Sequence, residues 1–282
     1  MKSRNYDIII TRFILAFILI LHISVSSGQD NYTSSVFAPP RFGTYVIARR
    51  GAHKNTPENT LAAYKKAIDL GCDFVEIDTR TTSDGRIISM HNATVNEYVK
   101  GASGKVSEMT FEQIRKLDLG AGYGENLKGT QVPSIEEILE LCKGKISIYL
   151  DLKAASIPEL VKIIKEYNIE RNIIWYIPAN RTDEISQLER ECPDCIVTPD
   201  PGKEENLEAV IKSVRPHVIA TDMGVLTESF VSKAHKGNAL IFCDEDKGTT
   251  AEWSDMIKWK TDGIQTDDPE GLIKFLKTRK EK

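Results

Sequence analysis

Residues 46–64 read VIARRGAHKNTPENTLAAY. The apolar run Val46–Ala48 stops at a basic pair, Arg49-Arg50, followed by Gly51. After a short polar loop comes Pro57-Glu58-Asn59-Thr60, with Asn59 or Thr60 suited to cap a helix. From Thr60 to Leu70 the apolar residues Leu61, Tyr64, Ala67 and Ile68 share one helical face. The stretch is therefore one strand, one loop and one helix. Repetition of that unit builds a parallel sheet covered by helices.

Working outward, the same alternation continues. Strands are expected at Tyr45–Ala48, Phe74–Asp78, Ile87–His91, Ile146–Leu152, Ile173–Ile177, Cys195–Thr198, Val218–Thr221, Leu240–Cys243 and Gly263–Thr266. Helical spacing recurs at Ser134–Cys142, Ile157–Tyr167, Glu204–Val214 and Leu272–Lys280. This order and length predict an α/β fold, a (β/α)₈ TIM barrel. An open doubly wound sheet is the alternative. Only the Asp84-Gly85 turn separates the second and third strands, too little for a helix. The barrel is thus expected to be irregular around strands 2 and 3, with one of the nine candidate strands accessory.

Residues 1–28 have a different character. Lys2, Arg4 and Arg12 precede the apolar run Phe13–Ile23, and small residues follow to Gly28. This is the layout of a signal peptide; the alternative is an uncleaved membrane anchor, for which the run is short against a bilayer span of about 20 residues. Residues 29–42 read as a linker and 43–282 as the barrel domain. Cleavage would leave a secreted or periplasmic protein with no stable membrane span. A net charge of −4 argues against a nucleic-acid partner. Among five cysteines only Cys192 and Cys195 lie close in sequence, and outside the cytosol they could close a small disulfide loop.

Polar groups gather where the strands end: Arg49 and Arg50, Glu76 and Asp78, His91 and Asn92, Asp151 and Lys153, then Asp267 and Asp268. In a barrel these ends share one rim. Glu76 and Asp78, two apart on a strand, point the same way. With Asp151 they would make three carboxylates that repel unless a hard cation, Ca²⁺ or Mg²⁺, sits between them. Arg50 and Lys153 suit a phosphate group, and His91 suits proton transfer. Each residue also has a plainer reading, as a helix cap, an ion-pair partner or a structural histidine.

Together these pieces resemble the glycerophosphodiester phosphodiesterases, a family of phospholipase-C-like TIM barrels. The resemblance rests on Arg49-Arg50-Gly51, Pro57-Glu58-Asn59-Thr60, Glu76-Ile77-Asp78, Thr82-Ser83-Asp84-Gly85, His91-Asn92, Val132-Pro133-Ser134-Ile135-Glu136-Glu137, Asp151-Leu152-Lys153 and Asp262-Gly263-Ile264-Gln265-Thr266-Asp267-Asp268-Pro269. It implies metal-dependent hydrolysis of glycerophosphodiesters to glycerol phosphate and an alcohol. Glu76, Asp78 and Asp151 would bind the cation, Arg50 and Lys153 the phosphate, and His91 would be one of two proton-transferring histidines.

The departures are local. Arg49 stands where the family has its first catalytic histidine, and a guanidinium does not exchange a proton near neutrality. Asn92 replaces an aspartate, and Glu97-Tyr98 replaces an arginine-threonine pair. The strand end Phe242-Cys243-Asp244 lacks the family's tryptophan. Two outcomes follow: an enzyme impaired at position 49, or a non-catalytic homologue that binds phosphodiesters. His53, four residues beyond Arg49, is either a stand-in histidine or an ordinary loop residue.

Overall fold

The computed structural model describes residues 36–280. The expected signal peptide lies outside these residues. Among the described residues nine strands are present: β1 (Tyr45–Ala48), β2 (Phe74–Thr81), β3 (Ile87–Ser89), β4 (Ser147–Ala154), β5 (Ile173–Pro178), β6 (Ile196–Asp200), β7 (Val218–Asp222), β8 (Leu240–Asp244) and β9 (Gly263–Thr266). Eight of them run parallel in the order β6-β5-β4-β2-β1-β9-β8-β7. The terminal strands β6 and β7 pack against each other without a ladder, so the barrel is nearly closed. The open-sheet alternative is excluded.

The accessory strand is β3. It pairs antiparallel with β2, Thr79 opposite Ser89 and Thr81 opposite Ile87. The strand expected at Ile87–His91 therefore stops at Ser89. His91 reaches the rim because the chain comes back down from a hairpin, not because a barrel strand ends there. Residues 90–133 then form an excursion with its own apolar cluster, including Met90, Val106, Ile114 and Val132. It contains the short helix α2 (Phe111–Arg115).

Helix α1 (Leu61–Leu70) begins at Thr60, whose side chain accepts the Ala63 N–H, and ends at Gly71 in the left-handed conformation. After α2, the helices α3 (Ile135–Cys142), α4 (Ile157–Tyr167), α5 (Thr182–Glu191), α6 (Leu207–Val214), α7 (Glu228–Lys236), α8 (Thr250–Lys258) and α9 (Pro269–Lys280) follow the strands. Alternation along each strand separates two cores. Val46, Ala48, Val75, Ile77 and Leu150 face the helices. Tyr45, Ile47, Phe74, Ile174, Val218, Leu240 and Phe242 fill the barrel's lower interior. Gly263 is needed there, because a Cβ would lie 2.5 Å from the Phe242 ring.

Within the segment expected as a linker, Phe37 packs edge-on against Phe74 and Tyr45. A disulfide joins Cys192 and Cys195, while Cys72, Cys142 and Cys243 are free and buried. Among the described residues no helix is long and apolar enough to cross a membrane.

Candidate active site

Above the apolar layer, the inward-facing positions turn polar. They line a cavity of about 190 Å³ at the C-terminal mouth of the barrel. On β2, Glu76 and Asp78 follow Phe74 along the inward face. Asp151 on β4 is the register partner of Asp78. The three carboxylates offer oxygens within 4.8 Å of one another.

Lys153 owes its place to a bulge. Thr79 pairs with Leu152 and Arg80 with Ala154, so Lys153 is the extra residue between them. Its Nζ lies 2.6 Å from Asp151 Oδ2 and 3.4 Å from Asp78 Oδ1. Arg50 takes φ of +51°, which a non-glycine residue rarely adopts. This turn aims its backbone N–H at Glu76 Oε2, 2.6 Å away, and its guanidinium at Glu58, 2.9 Å, and Asp78, 3.8 Å. Gly51 allows the turn. With φ of +82°, a Cβ there would sit 2.7 Å from the Ala63 Cβ.

Burial, and then repulsion from Asp78 and Asp151, hold the Glu76 carboxyl well above the usual range. Burial also raises Asp151, although Lys153 opposes it. For Lys153, burial alone would favour the neutral amine, but Asp151 and Asp78 outweigh it and push the pKa up. Asp78 is 1 % exposed, and its Oδ2 accepts a 2.7 Å bond from Asn59 Nδ2. Its Oδ1 accepts no hydrogen bond. An all-oxygen donor set with a buried carboxylate oxygen that accepts no hydrogen bond, its nearest cation the Lys153 ammonium at 3.4 Å, fits a hard divalent cation.

Arg49 also lines the cavity. Its Nε lies 3.7 Å from Asp244 Oδ2, and its Nη1 lies 3.5 Å from Asp267 Oδ2. Burial raises Asp244 to about 6 despite Arg49. His53 does not line the cavity. Its Nδ1 donates to the Arg49 carbonyl at 2.8 Å, and its Nε2 lies 3.6 Å from Asp267. Asp268 pairs with Lys54 and accepts the Gly271 N–H at the start of α9. His235 pairs with Asp262, away from the mouth.

His91 lines the central cavity and also a second one of about 350 Å³, which shares Arg50. The structure therefore brings Arg49, Arg50, Glu76, Asp78, His91, Asp151 and Lys153 to one cavity. Several neighbours have places in the site that reading the chain did not assign. Asn59 is no helix cap: it holds Asp78 and accepts from the Tyr64 and Ser89 hydroxyls. Asp200, Asp222, Asp244 and Gln265 line the wall formed by β6–β9. The inward alternation Leu240, Phe242, Asp244 was the available signal for the last acid on that wall.

A family model described as the glycerophosphoryl diester phosphodiesterase family matches residues 50–271. A glycerophosphodiester phosphodiesterase of Caldanaerobacter subterraneus subsp. tengcongensis is 32 % identical over 243 residues, covering 83 % of this chain and 98 % of the relative. Among solved structures, a glycerophosphodiester phosphodiesterase from Agrobacterium tumefaciens superposes with a TM-score of 0.73 at 21 % identity, over 82 % of this chain and 99 % of that one. A phosphodiesterase of Oleispira antarctica, solved with the product sn-glycerol-3-phosphate, gives 0.73 at 18 % identity, over 83 % and 96 %. By the family match and the Caldanaerobacter relative, the chain belongs to the glycerophosphoryl diester phosphodiesterase family.

Proposed function

We propose that the chain hydrolyses glycerophosphodiesters to glycerol phosphate and an alcohol, with Ca²⁺ or Mg²⁺ held by Glu76, Asp78 and Asp151. The observation that carries this reading is the convergence of those three carboxylates beside Arg50 and Lys153 in one cavity. Those three carboxylates would hold the cation, which would offset their charge and supply Lewis-acid polarisation of a phosphoryl oxygen.

The residues around it divide the remaining work. Arg50 offers a planar fork of donors to the phosphodiester, and Lys153 a point charge. His91 exchanges a proton with the reacting oxygen or its water. Arg49 keeps its proton and stabilises negative charge on phosphate. Its place between Asp244 and Asp267 supports an enzyme slowed at the second proton-transfer step. The same observation favours the competing reading, a homologue that binds phosphodiesters without turnover.

Incubation with glycerophosphodiesters separates the two readings. The enzyme releases glycerol phosphate in a reaction that EDTA stops. The binding homologue shows a ligand-induced rise in melting temperature and no product. The chain is further read as a secreted or periplasmic protein cleaved after about residue 28. The Cys192–Cys195 disulfide supports an oxidising compartment. The N-terminal sequence of the exported protein tests this.

A further inference from the structure

The segment after β3 holds its polar groups in an ordered chain. The His91 carbonyl accepts from Arg80, at 3.1 Å from Nε and 2.6 Å from Nη2. The Asn92 backbone N–H donates to the Tyr98 hydroxyl at 2.9 Å. The His91 ring meets the Asn92 side chain, with Nδ1 2.9 Å from Oδ1. The Asn92 amide nitrogen in turn donates to the Glu97 carboxylate.

Chemistry fixes the direction of this chain. An ionised carboxylate only accepts, so the Asn92 NH₂ group faces Glu97. The Asn92 carbonyl oxygen is then the atom facing His91, and it also only accepts. Nδ1 therefore carries the imidazole proton, which leaves Nε2 with the lone pair. An asparagine alone would not do this, because its amide can present either end to the ring. Glu97 removes the ambiguity.

We propose that Glu97, acting through Asn92, is a positioning residue that fixes the tautomer of His91. The proposal deepens the reading of His91 as the proton-transferring group and rests on it for its catalytic meaning. Residue 92 carries no charge, and the acid that orients the ring comes instead from residue 97. Glu97 is solvent-exposed, so its role depends on the directed bond through Asn92 and not on a buried charge.

The test reads the ring directly. Long-range ¹H–¹⁵N NMR on histidine-labelled protein distinguishes the two neutral tautomers at alkaline pH, with His91 assigned from its loss in His91→Gln. The native protein is expected to show Nδ1–H. Glu97→Ala is expected to shift His91 toward the Nε2–H form that an unconstrained histidine side chain favours. Adding Asn92→Asp is expected to restore Nδ1–H without Glu97. Should Glu97→Ala fold poorly, Glu97→Leu, which also lacks a side-chain acceptor, is read in the same way. Native Nε2–H, or Nδ1–H that persists in both Glu97 variants, overturns the proposal.

No turnover is needed for this readout. A tautomer result as expected, with no product from the native chain, would sink the hydrolase reading and leave the positioning intact. Where turnover is present, Glu97→Ala lowers kcat with KM unchanged, as expected for loss of an interaction that matters only in the transition state. The same change costs nothing in the Asn92→Asp background.

Discussion

Arg49 Nε lies 3.7 Å from Asp244 Oδ2, so the arginine just beyond β1 is engaged in an ion pair at the barrel mouth. A group that keeps its proton at every accessible pH can hold phosphate charge but cannot relay a proton. Arg49→His is therefore expected to raise kcat, by up to about 10²–10⁴-fold if the new imidazole takes up the missing transfer. Equal rates for the two proteins would mean that another group already supplies it.

The carboxylate cluster makes a thermal prediction. Without a cation, Glu76 is buried beside Asp78 and Asp151 and its ionised form is disfavoured. Glu76→Gln relieves the repulsion while keeping an acceptor for the Arg50 N–H, so its melting temperature without metal should equal or exceed the native value. Adding Mg²⁺ or Ca²⁺ should stabilise the native protein, by about 2.7 kcal/mol at a hundredfold excess over Kd. Glu76→Gln should lose most of that gain. Scanning calorimetry with and without EDTA checks both parts.

Asp244 sets a pH dependence whose sign can be worked out. Burial raises its folded-state value to about 6, against the pull of Arg49 and Gln265, while Asp267 and Glu245 add to the rise. The unfolded carboxyl titrates near about 3.9. Between these two values the folded protein holds a proton that the unfolded chain has released. This group's contribution to stability therefore falls as pH rises toward about 6, then stays low. Asp244→Asn removes the penalty. The variant should melt higher than native at pH about 7.5, with the gap closing near pH 4.

Gly51→Ala should damage both fold and site. The residue sits at φ of +82°, and the added methyl carbon would lie 2.7 Å from the Ala63 Cβ. Left-handed strain alone costs about 1–3 kcal/mol, and the overlap adds to it. Arg50 would lose the turn that aims its N–H at Glu76. An unchanged melting temperature would contradict this picture of the turn.

How far the molecule was legible in its sequence depends on the range of the interactions. The barrel strands were readable because parallel strands covered on both faces leave continuous apolar runs, as in Tyr45–Ala48 and Ile173–Ile177. Glu76 and Asp78 could be put on one face from spacing alone. The direction of β3 was not readable, since a short apolar run looks the same parallel or antiparallel, and that direction is what delivers His91. Asn59 and Thr60 were both candidates for the helix cap; Thr60 is the cap, and the role of Asn59 was hidden because its link to Asp78 spans 19 positions. The bulge at Lys153 has no sequence mark, because it depends on how β2 meets β4. The Asn92–Glu97 bond joins residues that looked like unrelated departures until the excursion brought them together.

The most direct test of the central claim is product release by the protein, measured against Glu76→Ala. A panel of glycerophosphodiesters is supplied with Mg²⁺ or Ca²⁺, and glycerol phosphate is quantified. The account predicts release by the native protein that EDTA abolishes and that Glu76→Ala lacks. Release no greater than that of Glu76→Ala, or release that EDTA leaves untouched, would contradict it.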